Sequence, residues 1–388
     1  MKRKSTRREF LEANAAALVG ATLASAAAGR LQAASRRDKY RIFSEGRIAG
    51  MKLKNRFVRA ATAEGSSPGG QMNRDGLLIY EQLARGGTGL IITGHIVAAH
   101  GGDAHEYQTH IDEDRFIDAA TSIAETVHRY GRGCKVVAQL THAGPGAIVD
   151  PVAASEMPAR PSGKKPRALS EAVIDDLVAQ FAASIRRARN AGFDGVELHG
   201  AHGYLLRTFL SPATNKRNDQ YGGSAAARAE IIKRIVKAGR DIVGPDYPIL
   251  LKLNCDDFGD NEASAAGFVE MVGEIEKTGV NGIEISGTNP VRTEIDSAER
   301  QSYFLPYAAR LELKLPVILT GGNRSVEALE TILQKSKVQF FGFARPLIRE
   351  PDLPKRWQEG RGGNIAACIS CNECLRALAK TPTHCVRV

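Results

Sequence analysis

The sequence predicts a (β/α)8 barrel of the TIM type, an α/β fold, on three observations. After residue 50, eight short apolar runs rich in β-branched residues recur, stretches with helical periodicity separate them, and the connections are short. Alternating strands and helices predict a parallel sheet, and eight such units predict its closure into a barrel. An open doubly wound sheet is the alternative, because periodicity does not reveal closure.

Each predicted element follows from its own stretch of sequence. The predicted strands are Phe57 to Ala61, Leu90 to Gly94, Lys135 to Leu140, Gly195 to His199, Ile249 to Asn254, Gly282 to Ser286, Pro316 to Thr320 and Phe340 to Phe343. The clearest helices are Arg115 to Tyr130, Glu171 to Asn190, Ala225 to Val243, Gly267 to Lys277 and Val326 to Gln334. In the second helix Leu177, Phe181 and Ile185 share one face. In such a barrel we expect function at the carboxyl ends of the strands.

Composition and charge exclude several classes of protein. Apolar residues make up 43% of the 388 residues and charged residues 25%, which is ordinary for a globular protein and excludes a disordered chain. The net charge is +10, but residues 1–34 contribute +4 of it from six basic and two acidic residues. The rest is mildly basic, and aromatic residues are only 6%, so we expect no nucleic-acid partner.

The N-terminal 34 residues resemble a twin-arginine export signal. A basic start leads into Ser5-Thr6-Arg7-Arg8-Glu9-Phe10-Leu11, an Ala-rich segment follows, and small-residue triplets suitable for cleavage end it. A frayed Ala-rich helix is the alternative. The signal predicts recognition by the twin-arginine export machinery and a periplasmic protein. We expect the barrel over residues 35–360 and a Cys-rich extension over 361–388.

Two imidazoles and a phenol follow the fourth predicted strand. His199, His202 and Tyr204 can aim two hydrogen-bond donors at one oxygen, with a weakly acidic proton nearby. A metal pair or core histidines bonded to the backbone are the alternatives. The nearest acids precede the strand end, which disfavours a metal.

The sequence around these residues resembles the Old Yellow Enzyme family of FMN-dependent oxidoreductases. The resemblance runs from residue 191 to residue 224 and includes Thr214-Asn215-Lys216-Arg217 and Tyr221-Gly222-Gly223-Ser224. It extends to Lys52-Leu53-Lys54-Asn55-Arg56-Phe57, to Gln139-Leu140-Thr141-His142-Ala143-Gly144 and to Gly342-Phe343-Ala344-Arg345-Pro346. Essentially the whole chain after the export signal is covered.

The resemblance implies an ene-reductase type of chemistry. FMN, reduced by a nicotinamide or another donor, would pass a hydride to an activated C=C bond of a small-molecule electrophile. His199 and His202 would bind the carbonyl oxygen of the substrate, and Tyr204 would donate the proton. Donors preorganised at the oxygen stabilise the charge that develops there.

The same resemblance implies which residues hold FMN. Gln139 matches the amide that binds the pyrimidine edge, and Lys252 the cation beside N1 and O2 of the flavin. Backbone at Ala60 and Thr62 would contact the flavin ring. The phosphate would lie between two loops, as it does in many barrels, with Gly321, Gly322, Gly342 and Arg345 as the binding residues.

The chain departs from the family pattern in places. Ala63 stands where relatives often carry Cys or Thr near the flavin, and Arg207-Thr208 replace an acidic or amide pair. Family members that run the flavin in reverse, as dehydrogenases or demethylases, stay an alternative function. A non-catalytic flavin and iron–sulfur electron carrier is another, although a carrier has no use for an oxyanion site.

Four of the six cysteines form a C-x2-C-x2-C-x10-C pattern near the C-terminus. We expect Cys368, Cys371, Cys374 and Cys385 to act as a unit that binds a [4Fe-4S] cluster, because four thiolates can ligate one. Barrels of relatives such as dienoyl-CoA reductases carry a similar spacing. Zinc and a pair of disulfides are the alternatives. Cys134 and Cys255 are interpreted as core thiols.

Overall fold

The eight predicted strands close into a barrel. The computed structural model describes residues 35–36, 38–159, 163–258, 261–293, 295, 300–378 and 380–387. The barrel strands are β1 (Phe57–Arg59), β2 (Leu90–Val97), β3 (Lys135–Thr141), β4 (Gly195–Gly200), β5 (Ile249–Asn254), β6 (Gly282–Ser286), β7 (Val317–Thr320) and β8 (Val338–Phe343). The predicted export signal, residues 1–34, lies outside the described residues.

Every barrel strand pairs in parallel with the next one along the chain. The last strand also pairs with the first, with Phe341 opposite Phe57 and Phe343 opposite Arg59. This closure confirms the predicted TIM barrel and excludes the open doubly wound sheet. All eight carboxyl ends therefore meet at one end of the barrel.

Helices connect successive strands, mostly as the periodicity predicts. The described helices of ten or more residues are Arg74–Arg85, Ile117–Gly131, Glu171–Asn190, Ala225–Val243, Asn261–Glu276 and Val326–Lys335. Shorter helices are Leu205–Leu210, Leu305–Ala308, Arg345–Arg349, Leu353–Gln358 and Glu373–Ala377. Ser224 caps the fourth long helix by accepting a hydrogen bond from the N–H of Ala227.

One helix boundary was predicted wrongly. The predicted helix Gly267 to Lys277 begins at Asn261, and Gly267 lies inside it. A Cβ atom at Gly267 would lie 2.8 Å from the Cβ of Phe258, so this glycine allows close packing rather than starting the helix. The helix Arg74–Arg85 was not among the clearest predicted helices.

A β-hairpin plugs the amino-terminal end of the barrel. Its strands, Gly46–Ile48 and Met51–Leu53, pair antiparallel. Buried Ile48 and Leu53 join a cluster with Val58, Leu250 and Phe340 from the barrel strands. Apolar side chains of the hairpin thereby close the amino-terminal end of the barrel.

The C-terminal extension packs back onto the barrel. Its backbone at Asn364 and Ala366 bonds to Val326 and Arg324, beside the carboxyl end of β7. Further on, the N–H of Thr383 donates to the carbonyl oxygen of Glu64, 2.9 Å away, in the loop after β1. In the described part of the chain, no helix is both long and apolar enough to cross a membrane.

Candidate active site

A cavity of about 260 Å³ opens at the carboxyl end of the barrel. All eight strands or the loops that follow them contribute to its wall, as the barrel rule predicts. Of the residues predicted from the sequence, the following line it: Ala60, Thr62, Gln139, His199, His202, Tyr204, Lys252 and Arg345. Residues separated by up to 285 positions are thus brought to one site.

His199, His202 and Tyr204 form a compact aromatic group on the cavity wall. The ring centroids of the two histidines are 5.0 Å apart with the rings perpendicular, and the rings of His199 and Tyr204 are 4.9 Å apart. His202 adopts a left-handed backbone conformation, φ 57°, that non-glycine residues seldom take. This turn brings the second imidazole back beside the first.

Both imidazoles are held neutral. Burial lowers the pKa of His199 and His202 well below the ordinary value, and nearby Lys252 lowers them further. Nε2 of His202 lies 2.8 Å from the hydroxyl oxygen of Ser286, and Nδ1 of His199 is buried without a partner among the described residues. A neutral imidazole carries one N–H, so each can donate one hydrogen bond.

Gln139 and Lys252 lie on either side of this group. The Nε2 of Gln139 donates to Glu197, 2.6 Å away, which fixes the amide. Lys252 is buried, and its Nζ donates to Glu284 at 2.9 Å. A snorkelling surface lysine is thereby excluded, since only 2% of this side chain is exposed.

A second, smaller cavity of about 30 Å³ lies between the loops after β7 and β8. Gly321, Gly322, Gly342 and Arg345 all line it, and so does Arg324. Gly321 has φ 116°, and a Cβ atom there would lie 2.7 Å from the ring of Phe304. The Nε of Arg324 is buried without a partner among the described residues. An unpaired guanidinium N–H beside glycine backbone suits a phosphate group.

Arg345 joins this region to the C-terminal extension. Its Nη1 donates to the side-chain oxygen of Asn372, 2.6 Å away, and to the carbonyl oxygen of Ser370, at 3.2 Å. Its side chain borders the large cavity, the small one and the cysteine-lined region described below. The sequence predicted a phosphate contact here and no link to the cysteine segment.

His95, which the sequence pattern did not single out, also lines the cavity. Its ring stacks on Tyr204 at a centroid distance of 5.3 Å, and burial lowers its pKa to about 3. Gln108 accepts the N–H of Ala104 on its Oε1 and donates from Nε2 to Nδ1 of His95, at 2.8 Å. The proton of the neutral His95 ring is therefore on Nε2. The signal that could have identified His95 is its position directly after the predicted strand end at Gly94.

The unusual pair Arg207-Thr208 serves the loops rather than the cavity. The guanidinium of Arg207 bonds both carboxylate oxygens of Asp257, with Nε to Oδ2 at 2.5 Å. Thr208 accepts a hydrogen bond from the N–H of Ala154 at 3.0 Å. Neither residue lines the cavity. They attach the helix Leu205–Leu210, which follows β4, to the segments that contain Ala154 and Asp257. Their departure from the family pattern therefore has a structural reason.

The four clustered cysteines line a common space of about 20 Å³ next to the large cavity. Cys374 borders both spaces. Burial raises the pKa of Cys368 and Cys374, whereas a hydrogen bond from the N–H of Glu373 lowers the pKa of Cys371. All four are free thiols. Within the described chain, no three of their Sγ atoms lie within 4.8 Å of one another.

Comparison with known proteins gives consistent matches. The model of the NADH:flavin oxidoreductase / NADH oxidase family matches residues 41–364. A metal reductase of Desulforamulus reducens is 35% identical over 86% of this chain, but the chain spans only 51% of that relative's length. A 4,4'-dithiodibutanoate disulfide reductase of Rhodococcus erythropolis is 30% identical over 89% of this chain and 94% of its own.

A solved structure has the same architecture. Morphinone reductase in complex with tetrahydroNAD superposes with a TM-score of 0.70 at 26% identity, over 83% of this chain and 92% of its own.

Proposed function

Because this chain belongs to the NADH:flavin oxidoreductase / NADH oxidase family, we propose that it is an FMN-dependent enzyme that reduces an activated C=C bond of a small molecule. The observation that carries the proposal is the aromatic group of His199, His202 and Tyr204 on the wall of a cavity that Gln139 and Lys252 also line. These residues meet the needs of both the cofactor and the substrate.

The residues of the site fit FMN. The small cavity between the last two loops suits the phosphate, because Arg345 lines it and Arg324 Nε has no partner in the described part of the chain. Gln139 would bind the pyrimidine edge and Lys252 the side of N1 and O2, while backbone at Ala60 and Thr62 borders the ring. Bound FMN would supply the hydride. The ion pair with Glu284 balances the charge of this buried cation.

The substrate oxygen would be held by His199 and His202. Both imidazoles are neutral, so their N–H groups favour an uncharged carbonyl oxygen in the ground state and an enolate oxygen as charge develops. Tyr204 would donate its phenolic proton to carbon. Apolar Val291, Leu375 and Leu378 on the wall would exclude water.

The electron donor is proposed to be a nicotinamide. The bound tetrahydroNAD of the morphinone reductase structure supports this choice. The two relatives named above are both reductases, which favours the reductive direction over a dehydrogenase or demethylase. We also propose export to the periplasm through the twin-arginine route, on the N-terminal sequence alone.

A [4Fe-4S] cluster is proposed at Cys368, Cys371, Cys374 and Cys385. The four cysteines line one common space, as the ligands of a single group would. Iron and acid-labile sulfide analysis of anaerobically purified protein tests this: about four of each per chain supports the cluster, and zinc without sulfide, or oxidised thiols without metal, contradicts it.

The test of the main proposal is the visible spectrum of the purified protein, followed by anaerobic reduction with nicotinamide and oxidation by an enone. We expect one noncovalent FMN per chain. The Arg345→Ala variant should bind FMN more weakly by about 1.5–3 kcal/mol, because a charge-assisted phosphate contact is lost. Arg361→Ala, at an exposed position, is the control. Protein that neither contains FMN nor takes it up contradicts the proposal.

A further inference from the structure

Two carboxyl groups are buried inside the barrel on either side of one lysine. Glu197 on β4 and Glu284 on β6 are both fully buried, and Lys252 on β5 lies between them. Strand register sets Glu284 directly opposite Lys252, and Glu197 opposite Gln139 on β3. One buried cation therefore faces two buried acids.

Each carboxyl group has one satisfied oxygen. Glu284 Oε1 accepts from Lys252 Nζ at 2.9 Å and from the hydroxyl of Thr320 at 2.6 Å. Glu197 Oε2 accepts from Nε2 of Gln139 at 2.6 Å. These contacts account for one oxygen of each acid.

The two remaining oxygens have no donor. Glu197 Oε1 and Glu284 Oε2 are buried without a partner among the described residues, and the two carboxyl groups lie within hydrogen-bonding reach of each other. Two ionised carboxylates cannot satisfy one another, because both only accept. A single proton between them satisfies both oxygens and leaves the three groups with no net charge.

We propose that Glu197 holds this proton at neutral pH and donates it to Glu284, forming a buried acid–carboxylate pair next to Lys252. Burial and the neighbouring Glu284 raise the pKa of Glu197 well above its ordinary value, against the opposing effects of Lys252 and Gln139. His199, two residues along the same strand, is neutral and adds no charge.

The pair has a consequence for the flavin, which rests on the proposed FMN site. Gln139 and Lys252 reach the cavity wall from this pair. While Glu197 is protonated, Glu284 alone balances Lys252. Loss of the proton would add a negative charge behind the residues that face the flavin, and would disfavour its anionic reduced form. Glu197 is thus a positioning residue that acts through Gln139 and Lys252.

The Glu197→Gln variant tests the pair without reference to FMN. A glutamine amide can accept from Gln139 and donate to Glu284, so it copies the protonated acid and should fold. In the infrared spectrum of the full chain at pH 7, we expect a carboxylic-acid carbonyl band that the variant lacks. Glu284→Gln should lose the same band, because Glu197 then becomes the anion beside Lys252. An unchanged band in Glu197→Gln overturns the proposal.

Stability against pH gives a second readout. Above the ordinary pKa of glutamate, 4.5, the folded wild type keeps a proton that the unfolded chain releases. The folding equilibrium constant of the wild type should therefore fall relative to Glu197→Gln, by up to tenfold per pH unit, until Glu197 ionises in the folded state. A ratio that is constant or moves the other way contradicts the shared proton.

The reduction potential of bound FMN then tests the coupling. It should fall with rising pH more steeply in the wild type than in Glu197→Gln. Equal pH profiles of the reduction potential in the two proteins would contradict the coupling to the flavin. The infrared and stability results test the proton itself. Protein without FMN would contradict the proposed function and leave those two results intact.

Discussion

The hydroxyl of Thr383 donates a hydrogen bond of 2.5 Å to the backbone carbonyl of Ala63, across 320 positions of the chain. Ala63 lines the large cavity in the loop after β1, and Thr383 belongs to the C-terminal extension. Leu378 and Thr383 of the extension border the same cavity. The extension is therefore part of the wall of the candidate active site.

Removal of this contact should loosen the wall. In Thr383→Val we expect FMN to bind about 2- to 10-fold more weakly, since one hydrogen bond of about 0.5–1.5 kcal/mol is lost while the shape is kept. Fluorescence titration of the apoprotein measures it. Thr381→Val, at an exposed position nearby, is the matched control and should change little. Equal affinities for wild type and Thr383→Val would contradict the role of the extension.

Tyr204→Phe should separate the two half-reactions. Reduction of the bound flavin by nicotinamide should stay nearly unchanged, and its reoxidation by an enone should slow, because the phenol is needed only as the proton donor. Stopped-flow spectroscopy follows each step. His199→Ala should instead weaken the binding of an added phenol ligand and also slow enone reduction. The barrier to enone reduction should rise by about 2.7–4 kcal/mol. Unchanged reoxidation in Tyr204→Phe would require another proton source.

His95 is expected to contribute a third donor to the cavity. His95→Phe keeps an aromatic ring against Tyr204 but removes the N–H on Nε2. We expect kcat/KM for an enone to fall about 2- to 10-fold, as for loss of one ordinary hydrogen bond. Gln108→Leu, which frees Nδ1 and allows the other tautomer, should lower it by less. An unchanged kcat/KM in His95→Phe would show that His95 only fills space.

His110 should make stability depend on pH. Burial alone would lower its pKa, but its hydrogen bonds to Asp103 at 2.7 Å and Asp112 at 3.0 Å outweigh burial and raise the pKa to about 9. The contribution of protonated His110 to the free energy of unfolding is complete below the unfolded pKa of 6.5. It is lost as the pH rises through 9. We expect a loss of about 1–2 kcal/mol, after allowance for partial exposure.

Urea denaturation at pH 6, 8 and 10 measures this contribution. In His110→Gln the fall in stability between pH 6 and pH 10 should be smaller by that amount. His384→Gln changes an exposed histidine and should follow the wild type. Parallel curves for His110→Gln and the wild type would contradict the assignment.

The barrel and much of the cavity lining were readable from local sequence. Strand and helix periodicities are local properties, and the parallel order of eight strands follows from their alternation. Residues at strand ends, such as His199, Gln139 and Lys252, could be assigned to one site because all carboxyl ends meet at one end of a barrel.

The contacts between side chains of different strands and loops depend on the three-dimensional packing. The sequence does not reveal that Glu197 and Glu284 face each other beside Lys252, because that contact depends on strand register and on which face points inward. Nor does it reveal that Thr383 contacts Ala63, since a contact between residues 320 positions apart leaves no periodic signal in the sequence. Local sequence was enough to predict the fold and the types of residue at the carboxyl end of the barrel, whereas long-range packing sets how the charged groups are arranged there.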